Sequence, residues 1–261
     1  MQDVSDLVNL ARYPLTDLAT PAAQRIIADG RAQLADNGLC LLPDFLTPLA
    51  LDAMAHEARR LHADAHYEEL AKTDDGSGRL RGFPLPRLSR TASAAVAYDQ
   101  IGAASPIRRL YQWDGLASFF RELLGVARLY RCADPIISCL LMYYGDGDEL
   151  GWHFDPNNGV ATLLLQAANE GGVFEFVPKI RRDDAEGLAA VARVMDGAHE
   201  AVITAQLHPG TLALFQGVDS LHRVTRVKGA VPRIILTMSF DTEPGTMFSA
   251  EIRRRYSGRT A

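Results

Sequence analysis

The chain has 261 residues, of which 48% are hydrophobic and 23% charged, proportions typical of a soluble globular protein. Its net charge of -5 argues against nucleic acid or an anionic membrane as the main partner. No apolar stretch approaches the roughly 18 residues that span a bilayer, and the acidic N-terminus lacks the pattern of a signal peptide. The cysteines Cys40, Cys132 and Cys139 are odd in number and lack metal-ligand spacing, which predicts buried, reduced thiols in a cytoplasmic protein.

The first half of the chain is predicted to be mostly helical. Thr20-Pro21 and Thr47-Pro48 each have the form of an N-cap followed by proline at the first helical position. The first of these helices should end at Asn37-Gly38 and be followed by a short, fully apolar strand. The predicted elements are helices over 21–37, 48–61, 92–102 and 105–124 and a strand over 39–42.

Residues 72–92 break this pattern with a glycine- and aspartate-rich turn followed by four arginines. A segment of this length without a clear period is usually functional or disordered. One interpretation is a solvated basic loop, and the other is a lid over an active site in which an arginine meets a substrate carboxylate. The candidates for that contact are Arg79, Arg81 and Arg90.

From residue 126 onward, short apolar strands alternate with turns rich in glycine and proline. This pattern of short strands and turns predicts a mainly β fold with flanking helices. Its core is expected to be a double-stranded β-helix of the jelly-roll, cupin-like kind. A helical insertion is expected near 181–200, and no linker divides the chain, so we expect one domain with its core over 126–245 and the N-terminal helices packed outside. The predicted strands cover 127–133, 137–144, 149–155, 160–166, 173–177, 202–207, 211–216, 221–227 and 233–241.

Three residues have the types and spacing of a metal site. His153 and Asp155 stand two positions apart, so on a strand both side chains leave the same face and can reach one ion. His222 would supply a third ligand from a later strand. Two imidazoles and one carboxylate on one side of a metal form the facial triad of non-haem Fe(II) oxygen chemistry. In isolation, a His-x-Asp pair is better explained as a surface histidine and a turn aspartate before Pro156.

Arg233 strengthens the metal prediction. It opens the apolar strand predicted over 233–241, and a buried guanidinium is costly unless a carboxylate pairs with it. The triad and this arginine together resemble the iron- and 2-oxoglutarate-dependent oxygenases, in which such an arginine holds the distal carboxylate of 2-oxoglutarate.

The resemblance extends to one oxygenase subgroup, the radical halogenases that act on free lysine and similar amino acids, together with their hydroxylating relatives. It rests on residues 152–155, 171–178, 209–215, 222–224 and 232–233. It implies Fe(II), 2-oxoglutarate and O2 as cofactor and cosubstrates, with His153, Asp155 and His222 as the catalytic metal ligands. Halogenating members carry a small residue at the carboxylate position, and this chain has Asp155, so the resemblance favours hydroxylation of an unactivated C–H bond with release of succinate and CO2.

The substrate is predicted less sharply. Lysine-acting relatives carry an acid directly after the third triad position, where this chain has Pro156, so another free amino acid or small polar acid is favoured. By strand alternation Thr237 and Ser239 share a face with Arg233 and are candidate substrate contacts, although small hydroxyl residues also simply fit a crowded strand. One of Tyr143 and Tyr144, and also Thr162, are candidates to touch 2-oxoglutarate, although an aromatic residue in a strand is more often part of the core. Trp152 flanks the metal but is expected to pack.

Other outcomes stay open at this stage. The same site could give desaturation, cyclisation or halogenation, since the fate of a substrate radical depends on its position. A metal-binding jelly-roll isomerase or a non-catalytic binding module would also keep the three ligands. The expected partner is a small molecule rather than nucleic acid or a membrane, and a homodimer is possible.

Overall fold

The computed structural model describes residues 3–70, 79–80, 83–84, 90–155 and 160–260, with the backbone alone for 79–80 and 83–84. Arg81, the side chain of Arg79 and Pro156, which carried parts of the substrate prediction, lie outside the described residues.

The helices begin where the sequence provides caps. Thr20, Thr47 and Ser105 each accept a backbone N–H from the first helical turn and precede a proline, and Gly38 and Gly125 end two helices in the left-handed conformation. The helices of the described chain are α1 Pro21–Asn37, α2 Pro48–Leu61, α3 Pro106–Gln112, α4 Asp114–Leu124, α5 Ala185–Met195 and α6 Ala250–Ser257.

Fourteen strands are present in the part of the chain that the structure describes. They are β1 Leu39–Leu42, β2 His66–Leu70, β3 Arg79–Leu80, β4 Phe83–Pro84, β5 Thr91–Val96, β6 Tyr130–Arg131, β7 Cys139–Tyr144, β8 Glu149–His153, β9 Val160–Gln166, β10 Phe174–Val177, β11 Ile203–Thr204, β12 Leu212–Phe215, β13 Leu221–Val224 and β14 Arg233–Asp241. Strands β3 and β4 pair with each other, and the other twelve form one antiparallel sheet.

The large sheet curls into two layers. Its hydrogen-bonded order is β1-β12-β9-β14-β7-β5-β8-β13-β10-β11, with β2 added to β5 and β6 added to β14. Near its two ends, Phe176 of β10 and Phe215 of β12 bring their ring centroids within 5.4 Å, so the sheet folds back on itself. Successive strands from β7 onward largely alternate between the layers, which is the jelly-roll arrangement predicted from the sequence.

The layer of the sheet that contains β7 and β14 packs against different groups of residues on its two faces. On the outer face, alternate residues such as Leu141, Tyr143 and Leu236 pack with the four helices α1, α2, α3 and α4 in the largest hydrophobic cluster. Their neighbours Met142, Tyr144 and Ile235 belong to a second cluster, on the inner face. Strand alternation therefore separates a helix-covered outer face from an interior that can hold a site.

The secondary structure differs from the prediction in several places. The helix predicted over 105–124 is divided at Trp113 into α3 and α4. Residues 92–102, predicted as a helix, form strand β5 and a short 3-10 turn over 98–100. The run is alanine-rich, which favours a helix locally, but β5 is hydrogen-bonded to β2, β7 and β8, and small side chains suit its buried position. Strand β2 and helix α6 were not predicted.

The cysteine prediction is confirmed for burial: all three are buried free thiols, and burial raises the pKa of Cys40 to about 12. Among the described residues, no helix is both long and apolar enough to cross a bilayer.

Candidate active site

The two predicted histidine ligands meet across a strand pair. His153 at the end of β8 lies directly opposite His222 of β13, and the ring centroids are 4.0 Å apart. Each ring donates its Nδ1–H to the backbone carbonyl two residues earlier, His153 to Gly151 at 2.8 Å and His222 to Ser220 at 2.9 Å. These bonds fix the tautomer and leave both Nε2 lone pairs free to bind a metal.

Asp155 brings its carboxylate to the same point. Its Oδ1 lies 3.7 Å from His153 Nε2 and 3.4 Å from His222 Nε2. The backbone holds it there, because the Asp155 N–H donates to the carbonyl of Gly217 at 2.9 Å. Gly217 also provides space: a Cβ at that position would stand 2.1 Å from Asp155 Oδ2.

The arrangement fits a divalent ion with open positions. Neighbouring ligands of an octahedral ion, each about 2.1 Å from it, stand about 3 Å apart, so the observed separations need only a small closing movement. Burial, followed by the nearby His222, lowers the pKa of His153 and favours the neutral, ligating imidazole. Burial acts to raise the pKa of Asp155, but the two neighbouring histidines outweigh it, so the pKa is lowered and the carboxylate is ionised and available as a ligand. Two imidazoles and one carboxylate suit Fe(II).

Aromatic rings close one side of this site. Phe215 stands edge-on to His222 at 4.9 Å between centroids, and Phe174 lies 5.7 Å from the same ring. Phe176 packs against both phenylalanines. The rings fix the orientation of His222 and keep water from its buried side.

Arg233 lies inside the barrel without a carboxylate partner among the described residues. It is 3% exposed, and burial lowers its pKa. Its guanidinium carbon is 5.6 Å from the ring centroid of Tyr144, its partner across the β7–β14 pair. Gly172 makes room beside it, since a Cβ there would approach Arg233 Cδ to 3.1 Å. A buried, unpaired guanidinium is a binding group for an anion, and its planar fork suits a carboxylate.

Residues 22–253 match the sequence profile of the family described as Halogenase D. This match covers most of the chain. The chain belongs to the Halogenase D family. No curated protein matches the sequence of this Halogenase D family member.

Solved structures share its fold. A 2OG-Fe(II) oxygenase-family oxidoreductase from Burkholderia pseudomallei has 18% identity and a TM-score of 0.55, covering 84% of this chain and 92% of its own. A Trichoplax adhaerens prolyl hydroxylase, in complex with a peptide fragment, has 16% identity and a TM-score of 0.58, covering 88% and 96%. EctD from S. alaskensis, with 2-oxoglutarate and 5-hydroxyectoine, has 22% identity and a TM-score of 0.54, covering 84% and 79%.

The family match, the shared fold and the three metal-binding side chains all indicate an iron- and 2-oxoglutarate-dependent oxygenase. The predicted resemblance to iron- and 2-oxoglutarate-dependent oxygenases related to amino acid halogenases is confirmed, and so is the jelly-roll core. His153, Asp155 and His222 would hold the iron, and Arg233 would hold the cosubstrate carboxylate.

The structure separates the two candidate tyrosines. Tyr143 lies on the outer face, where its hydroxyl donates to the carbonyl of Ala58 at 2.8 Å and its ring stacks on His62. Tyr144, one residue later, faces the interior beside Arg233. Since the first residue of β14 pairs with Tyr144, strand register places Tyr144 rather than Tyr143 next to this arginine.

The hydroxyl residues divide into two sets. Thr162 of β9 and Thr237 of β14 are paired across the strands and are both partly exposed, although their strands are central in the sheet. Partial exposure on central strands indicates that both threonines border the open space inside the barrel. Ser239 is buried, and six residues of strand place it about 20 Å from Arg233, too far to share a small ligand with it.

Two other predicted substrate contacts have partners elsewhere. Trp152 packs against the insertion helix α5 in a cluster with Val191 and Val194, and Arg223 lies over its ring, on the face opposite His153. The guanidinium of Arg90 bonds to Glu69 at 2.8 Å and to the carbonyl of Gly147 at 2.7 Å. Neither side chain is brought to the metal ligands.

Proposed function

We propose that the protein is a hydroxylase that uses Fe(II), 2-oxoglutarate and O2 to oxidise an unactivated C–H bond of a small polar substrate, a free amino acid or a derivative of one. When bound, the iron and 2-oxoglutarate supply the oxidising chemistry and release succinate and CO2. The protein's own residues provide binding, orientation and exclusion of water.

Each part of the site has a distinct task. His153, Asp155 and His222 would hold the metal, and three protein ligands would leave positions open for cosubstrate and oxygen. Arg233 binds the far carboxylate of 2-oxoglutarate and thereby orients its other end toward the metal. The rings around His222 limit water near the reacting centre.

The observation that favours hydroxylation over halogenation is the position of Asp155. Its carboxylate oxygen lies within 3.7 Å of both imidazole Nε2 atoms and takes the coordination position that a halide would need. The match to the Halogenase D family over residues 22–253 does not by itself decide between the two outcomes, so Asp155 carries the choice.

The first experiment tests cofactor and outcome together. Anaerobic protein loaded with Fe(II) is titrated with 2-oxoglutarate while the weak visible charge-transfer band is followed, and free amino acids are then screened for oxygen-dependent succinate release. With chloride present, the product should gain the mass of one oxygen atom. A product in which chlorine replaces hydrogen would contradict hydroxylation, and absence of the band in iron-loaded protein would contradict the oxygenase assignment.

A second experiment tests the role of the Asp155 carboxylate as a metal ligand. Asp155→Gly should lose most hydroxylation, because one of the three ligands is gone, while Asp155→Glu retains a carboxylate with altered reach. If Asp155→Gly supplied with chloride yields a chlorinated product, the carboxylate alone decided the outcome. Undiminished hydroxylation by Asp155→Gly would remove Asp155 from the ligand set.

An isomerase or a non-catalytic module is the alternative from another class. Such a protein would have no use for Arg233, whose charge is buried without a carboxylate partner among the described residues. It would also release no succinate, so the same assay separates the classes.

A further inference from the structure

Residues 217–220, between β12 and β13, hold two of the three metal ligands. The carbonyl of Gly217 accepts the backbone N–H of Asp155 at 2.9 Å, and the carbonyl of Ser220 accepts Nδ1–H of His222 at 2.9 Å. We call residues 217–220 the ligand-holding segment. Because its backbone makes both bonds, a shift of this segment would move the carboxylate and one imidazole relative to the third ligand.

The insertion between β10 and β11, residues 178–202, is hydrogen-bonded to the ligand-holding segment through Arg181. The backbone N–H of Arg181 donates to the carbonyl of Asp219 at 3.1 Å. Nη1 of its guanidinium donates to the carbonyl of Val218 at 3.0 Å. The two carbonyls in the middle of the segment are therefore held by this arginine, and the two at its ends hold metal ligands.

Lys179 adds another contact between the insertion and the ligand-holding segment. Its backbone N–H donates to the hydroxyl of Ser220 at 3.2 Å, and Ser220 is buried. The ammonium group of Lys179 donates to the carbonyl of Ala35 near the end of α1. The part of the insertion that bonds to the segment is thus itself anchored to a helix of the outer face.

The guanidinium of Arg181 also contacts the residue between the other two ligands. Its central carbon lies 5.4 Å from the ring centroid of Phe154, a distance at which a cation is attracted to an aromatic ring. Phe154 is buried and stands between His153 and Asp155 in the sequence. One side chain therefore contacts both parts of the chain that position Asp155, its own neighbour Phe154 and the segment that accepts its N–H.

Helix α5 of the insertion covers the outer side of the strands that carry the two histidines. Strand alternation turns the neighbours of each histidine away from the metal site. These neighbours pack with α5 in one hydrophobic cluster, which includes Trp152, Phe154, Leu221, Val191 and Val194. The apolar contacts fix the insertion against the strands but are not directional, so the position of the backbone carbonyls depends on the hydrogen bonds.

We propose that Arg181 is a positioning residue for the metal site. Through the carbonyl of Val218 and the ring of Phe154, it fixes the Asp155 carboxylate relative to the two imidazoles. The inference rests on the proposed function and adds a determinant of the iron geometry that lies in the insertion rather than among the ligands. A guanidinium suits the role, because its planar fork can donate to a carbonyl beside an aromatic ring, whereas lysine offers a compact charge on a flexible stem.

Two measurements test the proposal. Iron affinity is measured by anaerobic competition with a chelator, and coordination geometry by the visible absorption of Co(II)-substituted protein, which requires neither 2-oxoglutarate nor turnover. Arg181→Gln should weaken Fe(II) binding by about tenfold and shift the Co(II) bands, because the ligands lose a group that orients them. Arg181→Lys should recover only part of both properties, since it keeps the charge without the fork.

The matched control is Arg182→Gln, which removes the same charge one position along the chain. Arg182 pairs with Asp184 and Glu186 within the insertion itself, so this variant should bind Fe(II) like wild type. A second control separates positioning from general stability. Val191→Ala removes apolar contacts of α5, and it should lower the melting temperature while the Co(II) spectrum stays that of wild type.

Wild-type iron affinity and an unchanged Co(II) spectrum in Arg181→Gln would overturn the proposal. The same changes in Val191→Ala would also overturn it, because general packing would then explain them. If Arg181→Gln does not fold, Arg181→Lys decides, and wild-type values in that variant would refute a need for the guanidinium. The proposed function is tested separately, since absence of the 2-oxoglutarate charge-transfer band in wild-type protein would refute the oxygenase without affecting the Co(II) result.

Discussion

Gly217 acts on the metal site through the space that it leaves for Asp155. Its backbone carbonyl accepts the Asp155 N–H, and a Cβ would lie 2.1 Å from the Asp155 carboxylate. The conflict involves Asp155 Oδ2, Cγ and Cβ, at 2.1, 2.6 and 2.8 Å. Rotation of the carboxylate can relieve the first two contacts, but the third requires a local shift of Asp155 itself, so the cost falls on the geometry of this ligand.

Gly217→Ala should accordingly weaken Fe(II) binding by about tenfold or more while the melting temperature changes little. The measurement is anaerobic competition with a chelator, alongside a thermal melt. Gly102→Ala is the control, because a Cβ at that position meets nothing within 4 Å. Equal iron affinity in the two variants would contradict this role for Gly217.

Residue types and spacing were sufficient to predict the triad and Arg233, because ligand chemistry restricts which side chains can serve. They were not sufficient for Gly217. The importance of Gly217 arises from its close approach to Asp155, a residue distant from it in sequence.

At the scale of elements, the buried carboxylate of Asp134 helps to hold α6 against the barrel. Asp134 is buried and accepts the N–H groups of Ile136, Ile137 and Phe248 and the Nε–H of Arg253, at 2.8 to 3.1 Å. Burial acts to raise its pKa, but these hydrogen bonds outweigh burial and the net pKa is lowered. Its contribution to stability is therefore present above the pKa of an unfolded aspartate and is lost as the pH falls through the folded value.

Asp134→Asn should lower the free energy of unfolding by about 2 kcal/mol near neutral pH, because a carboxylate that accepts four hydrogen bonds is replaced by an amide. The loss should shrink as the pH falls below about 4, where the unfolded aspartate takes up a proton, and it should be smallest below the lowered pKa of the folded group. Urea titrations at several pH values test this, with Asp29→Asn on the exposed face of α1 as the control. A loss that is independent of pH would show that the charge of Asp134 is not what stabilises α6.

Element prediction succeeded where local and tertiary preferences agree. The caps at Thr20 and Thr47 fixed both helix starts, and the strands over 160–166 and 233–241 were found with their observed bounds. It failed for β5, whose alanines favour a helix until neighbouring strands offer hydrogen bonds on both sides. It also failed for α6, a short, mostly charged helix that depends on Asp134 and on packing for its position.

In the whole molecule, the site exists because the sheet folds back on itself. The metal ligands belong to β8 and β13 and the residue after β8, whereas Arg233 opens β14, which is separated from β8 by β7 and β5 in the sheet order. Curling brings these strands to the same interior, so one small molecule can touch the metal and the guanidinium at once. The alternation of inward and outward side chains along each strand could be predicted from the sequence. The distance between the two layers of the sheet could not.

Because the metal ligands and Arg233 lie on different strands, a mutation of Arg233 should weaken the binding of 2-oxoglutarate without weakening the binding of iron. Arg233→Lys should raise the 2-oxoglutarate concentration needed for half-maximal succinate release by about tenfold or more, since the ammonium cannot make the paired contacts of the guanidinium. Fe(II) affinity should stay unchanged, as no metal ligand is altered. Arg223→Lys is the matched control, because this arginine pairs with Glu175 at 2.7 Å and lies over Trp152 on the outer face. If Arg233→Lys weakened iron and 2-oxoglutarate together, or left both unchanged, Arg233 would not be the independent carboxylate anchor that its burial and lack of a described carboxylate partner indicate.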